Sequence, residues 1–164
     1  MLFRYSSTEM INSLRPTGSG PFRVSEAANL ALHALTVMAA GPGPSHRTRE
    51  IAARLNASTA HLAKVMVALD HAGLVAGTRG PAGGYRLTRP ASRISLKEVY
   101  EAIEGPMEAP GCLFEEPVCS TRNCVLSDYF GGLNREVVRK LARTRLTDLT
   151  QAFGGKNGKQ AQNH

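Results

Sequence analysis

The chain has 164 residues and is 42% hydrophobic, enough for one folded domain with a further element attached; with no Trp and 5% aromatic residues its core must be aliphatic, which suits helices. Its net charge of +7 is uneven, with 10 Lys and Arg against 4 Asp and Glu in residues 1–90 but 10 against 9 in residues 91–164, so a polyanion-binding module joined to a nearly neutral one is expected. The longest apolar candidate, 27–40, is interrupted by Asn29, His33 and Thr36, and no signal-peptide stretch opens the chain, which excludes a membrane-spanning reading and leaves a cytoplasmic protein as the expectation.

Residues 1–20 show no periodicity and end in Pro, Gly and Ser, as a flexible extension does; the polar residues 154–164 are expected to be disordered. A first helix should start with Ser25 as its N-cap and stop at Ala40, before Gly41-Pro42. It is apolar on almost every side apart from Asn29 and His33, which share one face, and should lie buried. Thr48 is expected to cap a short helix over 49–55. Asn56 and Ala57 then turn the chain, and Ser58 caps a second helix reaching about His71. There Leu62, Val65, Met66 and Leu69 repeat at helical spacing, and Gly73 supplies a left-handed end. Two short helices about such a turn, with Ile51, Ala52, Leu55 and Leu62 inward, form a helix-turn-helix.

A hairpin should follow, with strands near 74–76 and 85–87 around a loop, 78–84, that has three glycines and basic flanks. Helix-turn-helix plus hairpin defines a winged helix, so residues 21–105 are expected to form a DNA-binding domain. Ser95 and Glu98 have the spacing of a capping box, opening a helix with Leu96, Val99, Tyr100 and Ile103 on one stripe up to Gly105-Pro106. A segment over 106–124 holds all three cysteines. A long helix then carries Leu126, Phe130, Leu133, Val137 and Leu141 on a near-heptad stripe that one small domain would struggle to bury; residues 125–153 are therefore expected to dimerise, with the long helix ending near Arg143 and a short helical turn from Thr144. The predicted fold is mainly α: a winged helix-turn-helix with a small β-hairpin wing and a long C-terminal dimerisation helix.

In the recognition-helix reading, Ser58, Thr59, His61 and Lys64 face the major groove of double-stranded DNA, the helix start at Thr48 meets a phosphate, and Arg79 in the wing reaches the minor groove or backbone. For Ser58 capping alone is a sufficient explanation. Cys112, Cys119 and Cys124 have the spacing C-x6-C-x4-C, and a cluster of thiols in a cytosolic protein indicates metal or redox chemistry before a disulfide. Thiolates suit an iron–sulfur cluster or zinc, and Pro110, Gly111 and Pro117 suit a loop that wraps a cofactor. Three thiols leave one ligand to be found. The histidines make no Ser-His-Asp spacing, HExxH or phosphate loop, so no enzyme is expected. A winged helix used for protein contact, with zinc or a thiol switch in the cysteine loop, is the alternative.

The segments HLAKVMVALDHAGLV and RGPAGGYRLTRPASRISLKEVYEAIEGP resemble the bacterial Rrf2 family, the IscR and NsrR type of winged-helix regulator. The resemblance runs from about Phe22 to Leu149, and its most specific parts are the glycine-rich wing over 79–87, the segment 94–105 and the placing of the cysteines. It implies a homodimeric transcription regulator paired through its long helices, binding a palindromic operator, with an iron–sulfur cluster (2Fe-2S or 4Fe-4S) whose state changes DNA affinity. His61 and Lys64 resemble the nitric-oxide-responsive branch. Ser127 stands where some relatives carry a histidine ligand, and Asn29 where others show a carboxylate. His33 occupies a point from which some members supply a ligand across the dimer; a buried, hydrogen-bonded histidine is the other reading of that residue.

Overall fold

The computed structural model describes residues 24–41, 43, 45–78, 80, 83–107 and 124–154, the last four as helix backbone. In chain order they form α1 (Glu26–Ala40), α2 (Thr48–Leu55), α3 (Thr59–His71), β1 (Val75–Thr78), β2 (Gly84–Leu87), a 3-10 turn (Ala91–Arg93), α4 (Leu96–Glu104), α5 (Val125–Arg143) and α6 (Leu146–Gly154). The architecture is a mainly helical winged helix-turn-helix with a two-stranded wing and a long C-terminal helix, as the sequence pattern predicts.

Helix α1 is the central element. Ser25 caps it by accepting the Ala28 N–H at 3.0 Å, and Ala28, Leu30, Ala31 and the run from Ala34 to Met38 are buried. Small residues on several faces let α2, α3, α4, α6 and β2 all pack against it. Thr36, a polar residue in this core, is satisfied by donating to the Leu32 carbonyl at 2.7 Å. Ile51, Ala52, Leu62, Val65, Met66 and Leu69 complete the core from α2 and α3, and Leu55 packs partly buried beside them. Asn56 closes α2 in the left-handed conformation at φ 50°, so α3 departs at an angle from it.

The helix start near Thr48 differs from expectation. Thr48 is the first helical residue and Arg47 the N-cap, with no side-chain cap bond. Ser45 and His46 have been drawn instead into an extended segment that pairs with the wing.

The wing strands are antiparallel, with Val75 opposite Leu87 and Thr78 opposite Gly84, so β1 starts one residue later than expected and runs two residues further. His46 and Tyr85 exchange N–H···O bonds of 2.8 Å on the other edge of β2. Only glycine fits at position 84: a Cβ there would lie 2.5 Å from Ser45 Oγ and 2.7 Å from the His46 carbonyl oxygen. The wing is also tied to α3, because Asp70 Oδ1 accepts the Gly77 N–H at 3.2 Å and Thr88 Oγ1 donates to the Gly73 carbonyl at 2.6 Å.

Ser95 and Glu98 form the expected capping box, and Arg89 adds a 2.7 Å bond to the same carboxylate. Beyond Arg143 the chain departs from expectation again: in place of a single short turn, α6 extends over nine residues. Thr144 accepts the Leu96 N–H and Ile94 accepts the Leu146 N–H, both at 3.0 Å, and Leu146 is fully buried in the winged-helix core. The C-terminal module therefore returns to the domain from which it sets out.

Candidate nucleic-acid interface and cysteine site

The first turn of α3 is organised by Ser58, whose Oγ accepts the His61 N–H at 3.4 Å. Because the apolar stripe turns inward, Thr59, Ala60 and Lys64 are left exposed. His61 lies on the flank of that face, its side chain 35% exposed and its Nδ1 3.3 Å from Glu26 Oε1. Val67, 48% exposed, is the one large apolar residue that α3 turns outward. Ser58, Thr59, His61 and Lys64 are thus brought together at one end of one helix.

Thr48 sits on a second patch. A cavity of about 370 Å³ opens between the start of α2, the end of α3 and the wing, lined by Arg47, Thr48, Asp70, Gly77, Thr78, Gly83, Gly84 and Tyr85. Arg47 is exposed at its edge, as is Arg49 in the same turn of α2, whereas Arg86 faces a separate cavity with Met38, Gly43, His46 and Leu87. Sequence reasoning missed Arg47 as a member of this surface. Its signal was present, directly beside Thr48, but only the His46–Tyr85 pairing brings that segment against the wing. Arg79, expected at the wing tip, lies outside the described residues.

Of the three thiols, Cys112 and Cys119 also lie outside the described residues. Cys124 is half-buried at the N-cap of α5, where its Sγ accepts the Ser127 N–H at 3.4 Å. A sulfur donor therefore stands at the head of the long helix, in a turn whose peptide dipoles favour negative charge. Ser127 contributes its backbone to this cap. His33 is exposed, so the buried-histidine reading does not hold. Its Nδ1 lies 2.8 Å from the Asn29 carbonyl and donates to it, the type of backbone support that metal-ligating histidines have. Among the described residues no group of three or more His, Cys, Asp and Glu side chains is placed to hold a metal ion. The donors that are described, one thiol at a helix start and one supported imidazole, are of a kind that fits iron–sulfur chemistry or zinc.

The chain's exit from α4 toward the cysteines is fixed by Glu101. Its carboxylate accepts from Lys97 Nζ at 2.5 Å and from the Met107 N–H at 2.8 Å. These bonds outweigh the opposing effect of burial and hold the carboxyl below its ordinary range. Beyond the cysteines, α5 presents Val125, Leu126, Tyr129 and Phe130 to solvent, with Leu133, Val137 and Leu141 half-buried. Tyr129 and Phe130 meet edge to face at 5.5 Å. No helix among the described residues is long and apolar enough to cross a membrane.

A capped helix presented beside a hairpin wing, on a basic domain, defines a winged helix-turn-helix transcriptional regulator. A family profile described as an iron-dependent transcriptional regulator, Rrf2, matches residues 24–152, and the chain belongs to that family. It is 37% identical over 103 residues to the HTH-type transcriptional regulator IscR of Cereibacter sphaeroides, covering 61% of this chain and 66% of that one. The fold is similar to that of CymR, the global cysteine regulator of B. subtilis (TM-score 0.69, 24% identity, 80% of this chain and 98% of that one). It is also similar to that of T. potens IscR (TM-score 0.66, 22% identity, 88% and 97%). The family and these relatives are transcriptional regulators, not enzymes.

Proposed function

We propose that the protein is a cytoplasmic homodimer that binds a palindromic operator in double-stranded DNA, with an affinity set by an iron–sulfur cluster. The observation that carries the DNA reading is the N-terminal half of α3, where Ser58, Thr59, His61 and Lys64 lie together on a helix to which Asp70 ties the wing. Thr48 at the start of α2 would take a phosphate, and Arg79 would extend the contact from the wing. Cys112, Cys119 and Cys124 would hold the cluster, with His33 completing the set across the dimer. Such a cluster would make the protein responsive to oxidants, nitric oxide or iron–sulfur supply. The exposed apolar face of α5 supports pairing with a second copy, since a lone chain leaves Leu126 and Phe130 in water.

Purification without oxygen tests the sensor. Brown protein containing iron and acid-labile sulfide is expected, and Cys112→Ala, Cys119→Ala and Cys124→Ala should each bleach it, because no fourth thiol exists to replace a lost one. His33→Ala should destabilise the cluster without unfolding the apo-protein. Colourless protein with stoichiometric zinc would overturn the iron–sulfur reading and leave the DNA-binding one in place.

A further inference from the structure

We infer that Val67 is a specificity-determining residue of α3 and reads the C5 methyl group of a thymine in the major groove. This rests on the reading of α3 as the groove-entering helix. Val67 is 48% exposed, whereas Leu62, Val65, Met66 and Leu69 on the inner side of the same helix are buried. A helix surface in water favours Ala, Lys or Glu, and a β-branched side chain is disfavoured there. An outward valine therefore goes against local preference, as residues kept for recognition do. Ala60, Lys64 and Val67 stand at i, i+4 and i+7, so they share one face, and all three are exposed. Asp70, one turn beyond Val67, accepts the Gly77 N–H at 3.2 Å and fixes the wing to this part of α3.

The base edges in the major groove carry polar donors and acceptors, and the thymine methyl is the apolar group among them. An isopropyl group pressed against a polar edge strips water from it and offers no bond in return. Against a methyl group it removes apolar surface from water on both sides. Valine in a helix holds essentially one χ1 rotamer, so docking it costs little side-chain freedom. Ala60 presents only a methyl group, which lets the helix approach the bases closely. Lys64 has donors only and suits the acceptors of guanine. The face thus offers one cation and one rigid apolar group. They are three residues apart, about 4.5 Å along the helix axis, against about 3.4 Å between base pairs. The thymine should therefore lie within about two base pairs of the one that Lys64 faces.

Selection of duplexes from a random-sequence pool, using the full chain kept anaerobic, tests this. The wild-type protein should enrich thymine at one position per half-site, and Val67→Ala should lose that preference and no other. Replacing that thymine by deoxyuridine removes the methyl group and leaves every hydrogen-bonding group in place. Wild-type binding should then weaken about two- to fivefold per half-site, the effect of one buried methyl group, while Val67→Ala should bind both duplexes alike. A 5-methylcytosine–guanine pair at that position carries a methyl group at the same point, and the wild type should prefer it to the unmethylated pair. Val67→Ala should match the wild type in circular dichroism, because the side chain is half exposed; the deoxyuridine and 5-methylcytosine comparisons need no variant at all. Wild-type binding indifferent to deoxyuridine at every thymine, an equal loss in Val67→Ala, or the same motif selected by that variant would overturn the assignment of Val67 and leave the groove reading in place. A wild-type protein that enriches no motif at all would overturn the DNA-reading function, and this assignment with it.

Discussion

Lys64 is exposed in the second turn of α3, where an ammonium meets either a guanine edge or a phosphate. Lys64→Ala is expected to weaken operator binding markedly, and Arg79→Ala to lower both affinity and the salt slope by about one phosphate's share. Titration of duplex at several salt concentrations checks both, and unchanged affinity in the two variants would exclude this groove assignment. At Glu98 a pH effect is expected. Burial is the largest influence on its carboxyl and acts to raise it, but the N–H and O–H of Ser95 and the Arg89 guanidinium together hold it below the ordinary range. A carboxyl depressed on folding stabilises the fold above its unfolded value of about 4.3, and that contribution is lost as pH falls through the lower folded value. Urea midpoints measured on descending through this window should fall less steeply for Glu98→Gln than for the wild type.

At the scale of elements, the join between α5 and α6 makes the firmest stability prediction. Leu146 is fully buried, and Leu146→Ala should cost about 2–5 kcal/mol through the cavity it leaves, read from denaturant unfolding. Sequence reasoning predicts α1, α3 and α4 well because each carries its own instructions: Ser25, Ser58 and Ser95 mark the starts, and apolar residues recur at helical spacing behind them. The element it underestimates, α6, depends on a partner distant in the chain, since two backbone bonds to Ile94 and Leu96 bring Leu146 into the core and no local period announces such bonds. The same cause displaced the cap at Thr48: the hydroxyl is well suited to capping, but the pairing of His46 with Tyr85 sets where α2 begins. Of the candidate site, the α3 group is legible because one helix carries it, while Glu26 was not, because only folding brings it to His61.

For the whole molecule, the unpaired face of α5 bears on assembly. Phe130 is 39% exposed in the single chain, so Phe130→Asp should leave the fold intact by circular dichroism. It should nevertheless convert a dimeric mass to a monomeric one in sedimentation at micromolar concentration, and operator affinity should fall with it. In the dimer two recognition helices about 34–36 Å apart would span one turn of DNA. A wild-type protein that sediments as a monomer would remove both expectations.

The docking of α6 against α1 also has a consequence for synthesis. These two helices come from opposite ends of the described chain, and α6 is the neighbour that α1 meets most extensively. On the ribosome α1 emerges well before α6, with apolar residues on several faces, and the surface that covers one of them is translated only later. A nascent chain stalled anywhere in α5, or one cut between α5 and α6, would still hold the complete helix-turn-helix sequence while leaving apolar surface of α1 uncovered. Chaperones and proteases act on exposed surface of that kind. A chain truncated before α6 is therefore expected to be degraded by the cell rather than to accumulate as a folded regulator.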